Sequence, residues 1–146
     1  MAITVTEQVL ANTDRKLVIK RGVTIGGTED ETNAVVVDVS AAQFQNVRGQ
    51  TMTGVAIERI VLTTVSINNN NLIVTLSWDA DTNVRIIQSA HTDNDKGGYL
   101  LDLDVGSEWG GLTPGGTNPT GDILATTTGG SADEGYDLIL VMRKIF

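Results

Sequence analysis

Alternating apolar and polar positions dominate this chain, and they predict a series of short β-strands. The most apolar run, Tyr136–Phe146, is the last, and both of its alternating faces are apolar. One face carries three long side chains, Leu138, Leu140 and Met142. The other carries Ile139 and Val141. Because a strand with one face in water alternates cleanly, this pattern predicts a central strand that is covered on both sides.

Three further segments of extended character occupy the first 40 residues. Residues 1–12 open with the alternating segment Ile3–Thr6, which favours either an edge strand or an N-terminal arm that docks on a neighbour. The next strand spans about Arg15–Ile25, and a bulge is expected at Arg21-Gly22, which interrupts its alternation. A buried strand is predicted for Ala34–Ser40, since this segment is dense in β-branched residues.

The middle of the chain predicts three consecutive strands, at Val55–Ile67, Leu72–Trp78 and Asn83–Gln88. Four asparagines, residues 68–71, separate the first two strands. Asparagine accepts left-handed backbone angles better than other non-glycine residues, so this segment is typical of a hairpin loop. The three strands are therefore expected to form an antiparallel meander.

Little of the remaining sequence is helical. Only Ala41–Phe44 has helical composition, and it is too short for more than about one or two turns. A Gly-rich connection, Gly106–Thr120, contains both prolines, and the strand Gly121–Thr127 follows it. In total, about nine strands predict one all-β domain over residues 1–146: an antiparallel β-sandwich, jelly-roll-like or otherwise Greek key.

Composition narrows the function classes. The chain has a formal net charge of −8 and no cysteine. An acidic chain with scattered basic residues does not fit a nucleic-acid or anionic-membrane partner. Without cysteine it has neither a disulfide framework nor a thiolate metal site. The first residues lack the basic and apolar regions of a secretory signal, and no apolar run approaches the roughly 20 residues that a membrane span needs.

Catalysis has few candidate residues, and none is assigned. His91 is the single histidine, and a solvated loop position is the simpler interpretation of it. A weak calcium pattern follows, with Asp93, Asp95 and Asp104 at spacings that resemble a calcium loop. Ordinary turn chemistry explains the same aspartates. We therefore predict that the chain is not an enzyme and carries no cofactor.

A carbohydrate-binding or adhesion module, with or without calcium, is the alternative function. Trp109, in the Gly-rich connection, would be the sugar platform, and Glu108, Asp102 or Asp122 could supply carboxylates. Aromatic residues make up only 4% of the chain, however, and sugar sites generally need more stacking surface. This composition keeps carbohydrate binding second to a structural role.

Two C-terminal segments, Gly121–Thr127 and Tyr136–Lys144, flank a Gly-rich acidic loop. Together these segments resemble small structural proteins of tailed-bacteriophage virions, in particular the head decoration, or cement, proteins. The resemblance implies a β-sandwich subunit on the outside of an icosahedral shell, made in the host cytoplasm and often dimeric or trimeric. It implies no catalytic residues, and its partner would be the major capsid protein.

The contacts with that partner are assigned by position in the chain. The N-terminal segment contributes Ile3, Val5 and Val9, and the Gly-rich connection contributes Trp109. An alternating terminal strand suits assembly through sheet edges, and a tryptophan in a loop suits contact with another surface. We therefore expect a non-catalytic protein that binds capsid protein and stabilises capsomer contacts.

Overall fold

The computed structural model describes residues 3–66, 72–89, 99–106 and 110–146. These residues contain nine strands, which are β1 Thr4–Asn12, β2 Lys16–Thr24, β3 Ala34–Val37, β4 Gly54–Val65, β5 Ile73–Trp78, β6 Val84–Gln88, β7 Tyr99–Asp104, β8 Ile123–Thr128 and β9 Gly135–Ile145. One five-stranded sheet has the order β1-β2-β9-β4-β7, and one four-stranded sheet has the order β3-β8-β5-β6. All neighbouring pairs are antiparallel. The predicted all-β sandwich is confirmed.

A 3₁₀ turn forms at Ala42–Phe44, within the segment of helical composition. No helix in the described ranges is long and apolar enough to cross a membrane. The core lies between the two sheets. Its apolar side chains come from both inner faces and include Leu17, Ile19, Ile57, Ile60, Leu62, Val74, Leu76, Ile123, Leu138 and Leu140.

Strand β9 is central in the larger sheet, as its sequence predicts, because it pairs with both β2 and β4. The prediction that both of its faces are covered is wrong for the outer face. Leu140 on the inner face is 1% exposed, whereas Ile139 and Val141 on the outer face are only half-buried. Val61 lies opposite Ile139 and Val18 lies opposite Val141, so cross-strand neighbours shelter these two residues in part.

The predicted meander is wrong at its first connection. β4 pairs with β7 and β9 in the five-stranded sheet, whereas β5 pairs with β6 and β8 in the other. The chain therefore crosses between sheets after β4 instead of forming a hairpin. Strand length gives a physical reason: the 12 residues of β4 match the 11 residues of β9, whereas β5 has only six.

Strand β2 runs without interruption, so the bulge expected at Arg21-Gly22 is absent. The irregularity lies instead in the partner strand, between Val9 and Ala11 of β1. Arg21 keeps the alternation of the inner face and is 4% exposed. An arginine has thus taken a core position between two buried neighbours, Ile19 and Val23.

Arg21 is accommodated by a buried polar network. Its Nη2 lies 2.5 Å from Glu31 Oε2, and its Nε donates a hydrogen bond to the Tyr136 hydroxyl at 3.2 Å. The Tyr136 hydroxyl in turn donates to Glu31 Oε1 at 2.5 Å. Arg21 Nη1 contacts Glu7 of β1, the one exposed member of the group. Burial and the neighbouring Glu31 carboxylate raise the pKa of Tyr136, which keeps the hydroxyl protonated as a donor.

Gly135 allows close approach of β9 to β2. A Cβ at this position would strike the carbonyl oxygen of Val23 and lie 3.2 Å from Thr24 Cα, both of them backbone atoms. We therefore expect Gly135→Ala to lower the free energy of unfolding by about 1–3 kcal/mol, measured by urea denaturation. Gly115→Ala is the matched control, because the nearest atom to its Cβ would be Val84 Cγ1 at 3.9 Å. Equal stability of the two variants would contradict this prediction.

Candidate interaction surface

Strand β1 is exposed along nearly its whole length. Every residue except Ala11 is exposed, including three aliphatic side chains: Val5 at 43%, Val9 at 46% and Leu10 at 53%. β1 ends the five-stranded sheet, with β2 as its neighbour there. An edge strand of a sandwich ordinarily buries the side chains that point toward the facing sheet. The inner face of β1 is therefore uncovered.

The register shows which side chains lie on that inner face. Val5, Glu7 and Val9 stand opposite Val23, Arg21 and Ile19 of β2, all of which are buried. The facing sheet has four strands, one fewer than the sheet that contains β1. Within the larger sheet, the inner side chains of β1 are exposed, although the residues opposite them on β2 are buried.

A groove of about 390 Å³ lies between β1 and β3, within the usual size range of ligand pockets. We call it the β1–β3 groove. Glu7 and Val9 line one wall, and Val35 and Val36 line the other. Val35 is 50% exposed. The groove thus has aliphatic side chains on both walls, together with the polar lining residues Gln8 and Gln43.

One end of the groove is held closed by polar contacts near the 3₁₀ turn. Asn12 Nδ2 donates to the Gln43 carbonyl at 2.7 Å. Lys144 Nζ donates to Asn12 Oδ1 at 2.5 Å and to the Phe44 carbonyl at 3.1 Å. Burial lowers the pKa of this lysine, and its contacts join the end of β1 to β9 and to the turn. These hydrogen bonds therefore fix the position of Gln43 and Phe44, which line this end of the groove.

Two carboxylates border the groove. Glu7 has a side chain that is 46% exposed and contacts Arg21. Asp38 is exposed, and its Oδ1 accepts hydrogen bonds from the Ser40 N–H at 2.9 Å and the Ser40 hydroxyl at 2.5 Å. The groove thus combines aliphatic walls with a negatively charged rim.

The structure brings two of the predicted contact residues into this surface. Val5 and Val9 lie on the inner face of β1, and Val9 lines the groove. Ile3 is partly buried and packs against the core. Trp109 lies outside the described residues. Val35 was missed, because its run of valines indicated only a buried strand and not that β3 ends its sheet.

The calcium interpretation stays a prediction. Asp93 and Asp95, like His91, lie outside the described residues. Asp104 ends β7 with an exposed side chain, and its Oδ1 accepts a hydrogen bond from the Gly106 N–H at 3.2 Å. Among the residues that the structure describes, no group of three or more histidine, aspartate or glutamate side chains is placed to hold a metal ion.

The carboxylates considered for carbohydrate chemistry are separated by the fold. Asp102 lies on β7 and binds Arg59 through two contacts of 2.9 and 2.7 Å, which lower the pKa of its carboxyl. Asp122 lies beside β8 in the other sheet. Trp109 and Glu108 fall outside the described residues. The two described carboxylates therefore do not form a pair on one sheet.

The raised pKa of Asp122 predicts that the stability of the fold depends on pH. Its Oδ1 accepts a hydrogen bond from the Val39 N–H at 2.9 Å. Partial burial raises the pKa of the carboxyl, and the charges of Asp38 and Asp79 raise it further. The folded chain therefore binds this proton more readily than the unfolded chain, so stability falls as the pH rises through the titration.

We expect Asp122→Asn, which keeps the acceptor oxygen, to be more stable than the wild type at pH 7. The difference should disappear in urea denaturation below the titration of the carboxyl, where both folded and unfolded chains are protonated. Asp137→Asn, at an exposed position of β9, is the control and should change little. A wild type that is more stable than Asp122→Asn at pH 7 would contradict the sign.

Comparison with known proteins found no match to this chain, whether among protein-family models, curated protein sequences or solved structures. The function of this chain must therefore follow from its fold, its uncovered edge and the segments described above.

Proposed function

We propose that this chain is a non-catalytic structural protein of a phage virion, which binds the outer surface of the capsid and stabilises contacts between capsomers. The observation that carries this proposal is the uncovered inner face of β1. Val5, Val9 and Leu10 leave aliphatic surface in water at a sheet edge. Natural proteins ordinarily protect such edges, and an exposed apolar edge marks an interaction site.

The resemblance to decoration proteins also supports the proposal. The residues that carry it belong to the core strands and not to the exposed edge strands. Its two segments fall mainly on β8 and β9, which lie inside the four-stranded and the five-stranded sheet, respectively. Leu138 and Leu140 of β9 and Ile123 of β8 are core residues. The resembling residues thus build the sandwich, and the edge strands β1 and β3 are left to make contacts.

Such a protein would act by binding rather than by chemistry. A ligand that binds only the assembled form of a shell stabilises that form by mass action. A dimer or trimer of this chain would present several uncovered edges to neighbouring capsomers, and linked contacts of this kind bind more tightly than each does alone. The proposal therefore expects stabilisation of shells without any turnover.

The test is co-sedimentation of the purified protein with expanded, decoration-free shells of the phage that encodes it. We expect saturable binding at a fixed ratio to capsomers, together with a higher disruption temperature of the loaded shells. Shells that were already fully decorated provide the control and should take up no further protein. Failure of the wild-type chain to bind free shells would overturn the proposal.

One observation favours the carbohydrate alternative. A polar hollow of about 360 Å³ lies on the outer face of the five-stranded sheet, with Thr6, Lys20 and Asp137 in its lining beside Gly22. Such groups can bind sugar hydroxyls. The aromatic residue of the lining, Tyr136, is 2% exposed and offers no ring for stacking. A glycan array would test this alternative, with binding by the wild type and loss in Asp137→Ala as the supporting result.

A further inference from the structure

We propose that the β1–β3 groove binds an extended strand of the capsid protein, with aliphatic side chains at alternate positions and a lysine or arginine that faces Glu7 and Asp38. This inference rests on the proposed function and names the chemistry of its partner. Three observations carry it: a free strand edge, an apolar wall on each side, and the sign of the rim charges.

The first observation is the place of β3 in its sheet. β3 ends the four-stranded sheet, with β8 as its neighbour, so its other edge offers backbone hydrogen-bonding groups. Its four residues span roughly 13 Å at the usual rise of a strand. A strand added to this edge would lie in the groove, against the exposed inner face of β1. Such strand addition is a common mode of peptide recognition.

The second observation is the distribution of aliphatic surface. Val9 on β1 and Val35 on β3 are each about half exposed, at 46% and 50%. Ile19 and Phe44, which also line the groove, are each 4% exposed. Side chains of an added strand would alternate, so those on one face would meet Val9, Ile19 and Phe44. Those on the other face would lie beside Val35, which stands opposite Leu124 on the outer face of its sheet. A strand with aliphatic residues at alternate positions therefore fits.

The third observation is charge. Arg21 is bound by Glu31 and Tyr136 as well as by Glu7, and a carboxylate has several lone-pair sites. Glu7 can therefore accept a further hydrogen bond from a partner cation. Asp38 adds a second negative charge at the rim, and the whole chain carries −8. A lysine or arginine on the incoming strand would complement both carboxylates.

A second copy of this chain fits the groove less well. Among the described edge strands, β1 carries Glu7 and β7 carries Asp102 and Asp104, and neither strand has a basic residue. Either would bring like charge to the rim. β6 does carry Arg85, so self-association through β6 is the competing outcome that the experiment must distinguish.

The test places a photo-crosslinking residue, p-benzoylphenylalanine, at Val35 or at Leu100. Leu100 is the matched control, because it is a 70%-exposed aliphatic residue on β7, at the other end of the five-stranded sheet. Each variant is bound to shells, irradiated and analysed by mass spectrometry. We expect the Val35 variant to crosslink to one capsid-protein segment with alternating aliphatic residues and a lysine or arginine. The Leu100 variant should give little product.

Measurements of affinity for the same shells show how much each groove residue contributes to binding. We expect Val9→Asp and Val35→Asp to weaken binding by about tenfold or more, since each places a charge against an apolar contact. Leu100→Asp carries the same charge change and should stay within about twofold of the wild type. Asp38→Asn should make binding less sensitive to salt. Unchanged melting curves would show that each variant remains folded.

The outcomes separate this inference from the function on which it rests. If the wild type binds shells but Val35→Asp binds equally well, the groove is wrong and the proposed function stands. Equal crosslinking from positions 35 and 100, or crosslinks to a second copy of this chain, would also overturn the groove. Absence of wild-type binding would overturn the proposed function and, with it, the partner assigned to the groove.

Discussion

Replacement of Arg21 by alanine is expected to lower the free energy of unfolding by about 3–5 kcal/mol, because it leaves a buried charge without its partner. Glu31 is 6% exposed, and of the side-chain donors that the described residues offer its carboxylate, the Tyr136 hydroxyl would remain. The guanidinium also joins β2 to β1 through Glu7, so this link would be lost too. Urea denaturation of the variant and the wild type at pH 7 measures the effect.

Two further variants make this prediction specific. Lys20→Ala, at the preceding position of the same strand, removes an exposed charge and should change stability by no more than about 0.5 kcal/mol. The double variant Arg21→Met, Glu31→Leu removes the pair together and should recover part of the loss, because the buried Tyr136 hydroxyl still loses both of these partners. A cost of Arg21→Ala below about 1 kcal/mol, as for an exposed ion pair, would show that the network is not buried in solution.

Leu140→Ala is expected to destabilise the protein by about 2–5 kcal/mol, since it removes a fully buried side chain from the central strand of the larger sheet. Leu140 is 1% exposed and lies opposite Ile19 of β2 and Ile60 of β4. All three belong to the same core cluster. The cavity would therefore open where the two sheets pack together.

Ile139→Ala is the matched control, because it removes a side chain of similar size from the other face of the same strand. Ile139 is half-buried, so its replacement should cost less than half as much as that of Leu140. Urea denaturation of both variants measures the two losses in the free energy of unfolding. Equal costs would mean that β9 is covered on both faces, as its sequence alone predicts.

Sequence alternation predicts which strands form but not which of them pair. The sequence predicts strands at Val55–Ile67 and Leu72–Trp78, and these segments form β4 and β5 in the structure. Nothing in that pattern distinguishes a hairpin from a crossing between sheets, because either arrangement buries the same inward residues. The long pairing of β4 with β9, which is distant in sequence, decides the topology.

Arg21 shows a second limit of prediction from the sequence. It stands in phase with Ile19 and Val23, so strict alternation already places it on the inner face. A polar residue there interrupts the run of apolar residues on that face, and this interruption predicted a bulge. Compensation for the buried charge comes from Glu31 and Tyr136, which lie 10 and 115 positions away and which no local pattern connects to it.

The uncovered edge of the larger sheet was predictable in part. The alternating N-terminal segment indicated an edge strand, and Val5 and Val9 lie on the uncovered face of that strand. The groove itself depends on β3 and β1 ending their sheets on the same side. That juxtaposition comes from the sheet order, so Val35 and Asp38 could not be assigned to a surface from the sequence.

Amide hydrogen exchange of this protein, free and bound to decoration-free shells, tests most directly whether the uncovered edge is the binding surface. Strand β3 should exchange more slowly on the shells, because an added strand would supply partners for the backbone groups of its free edge, and β1 should exchange more slowly because the added strand would cover its inner face. Strand β7, at the other end of the five-stranded sheet, should be unchanged. Protection of β7 with β1 and β3 unaffected would contradict the assignment of the binding surface.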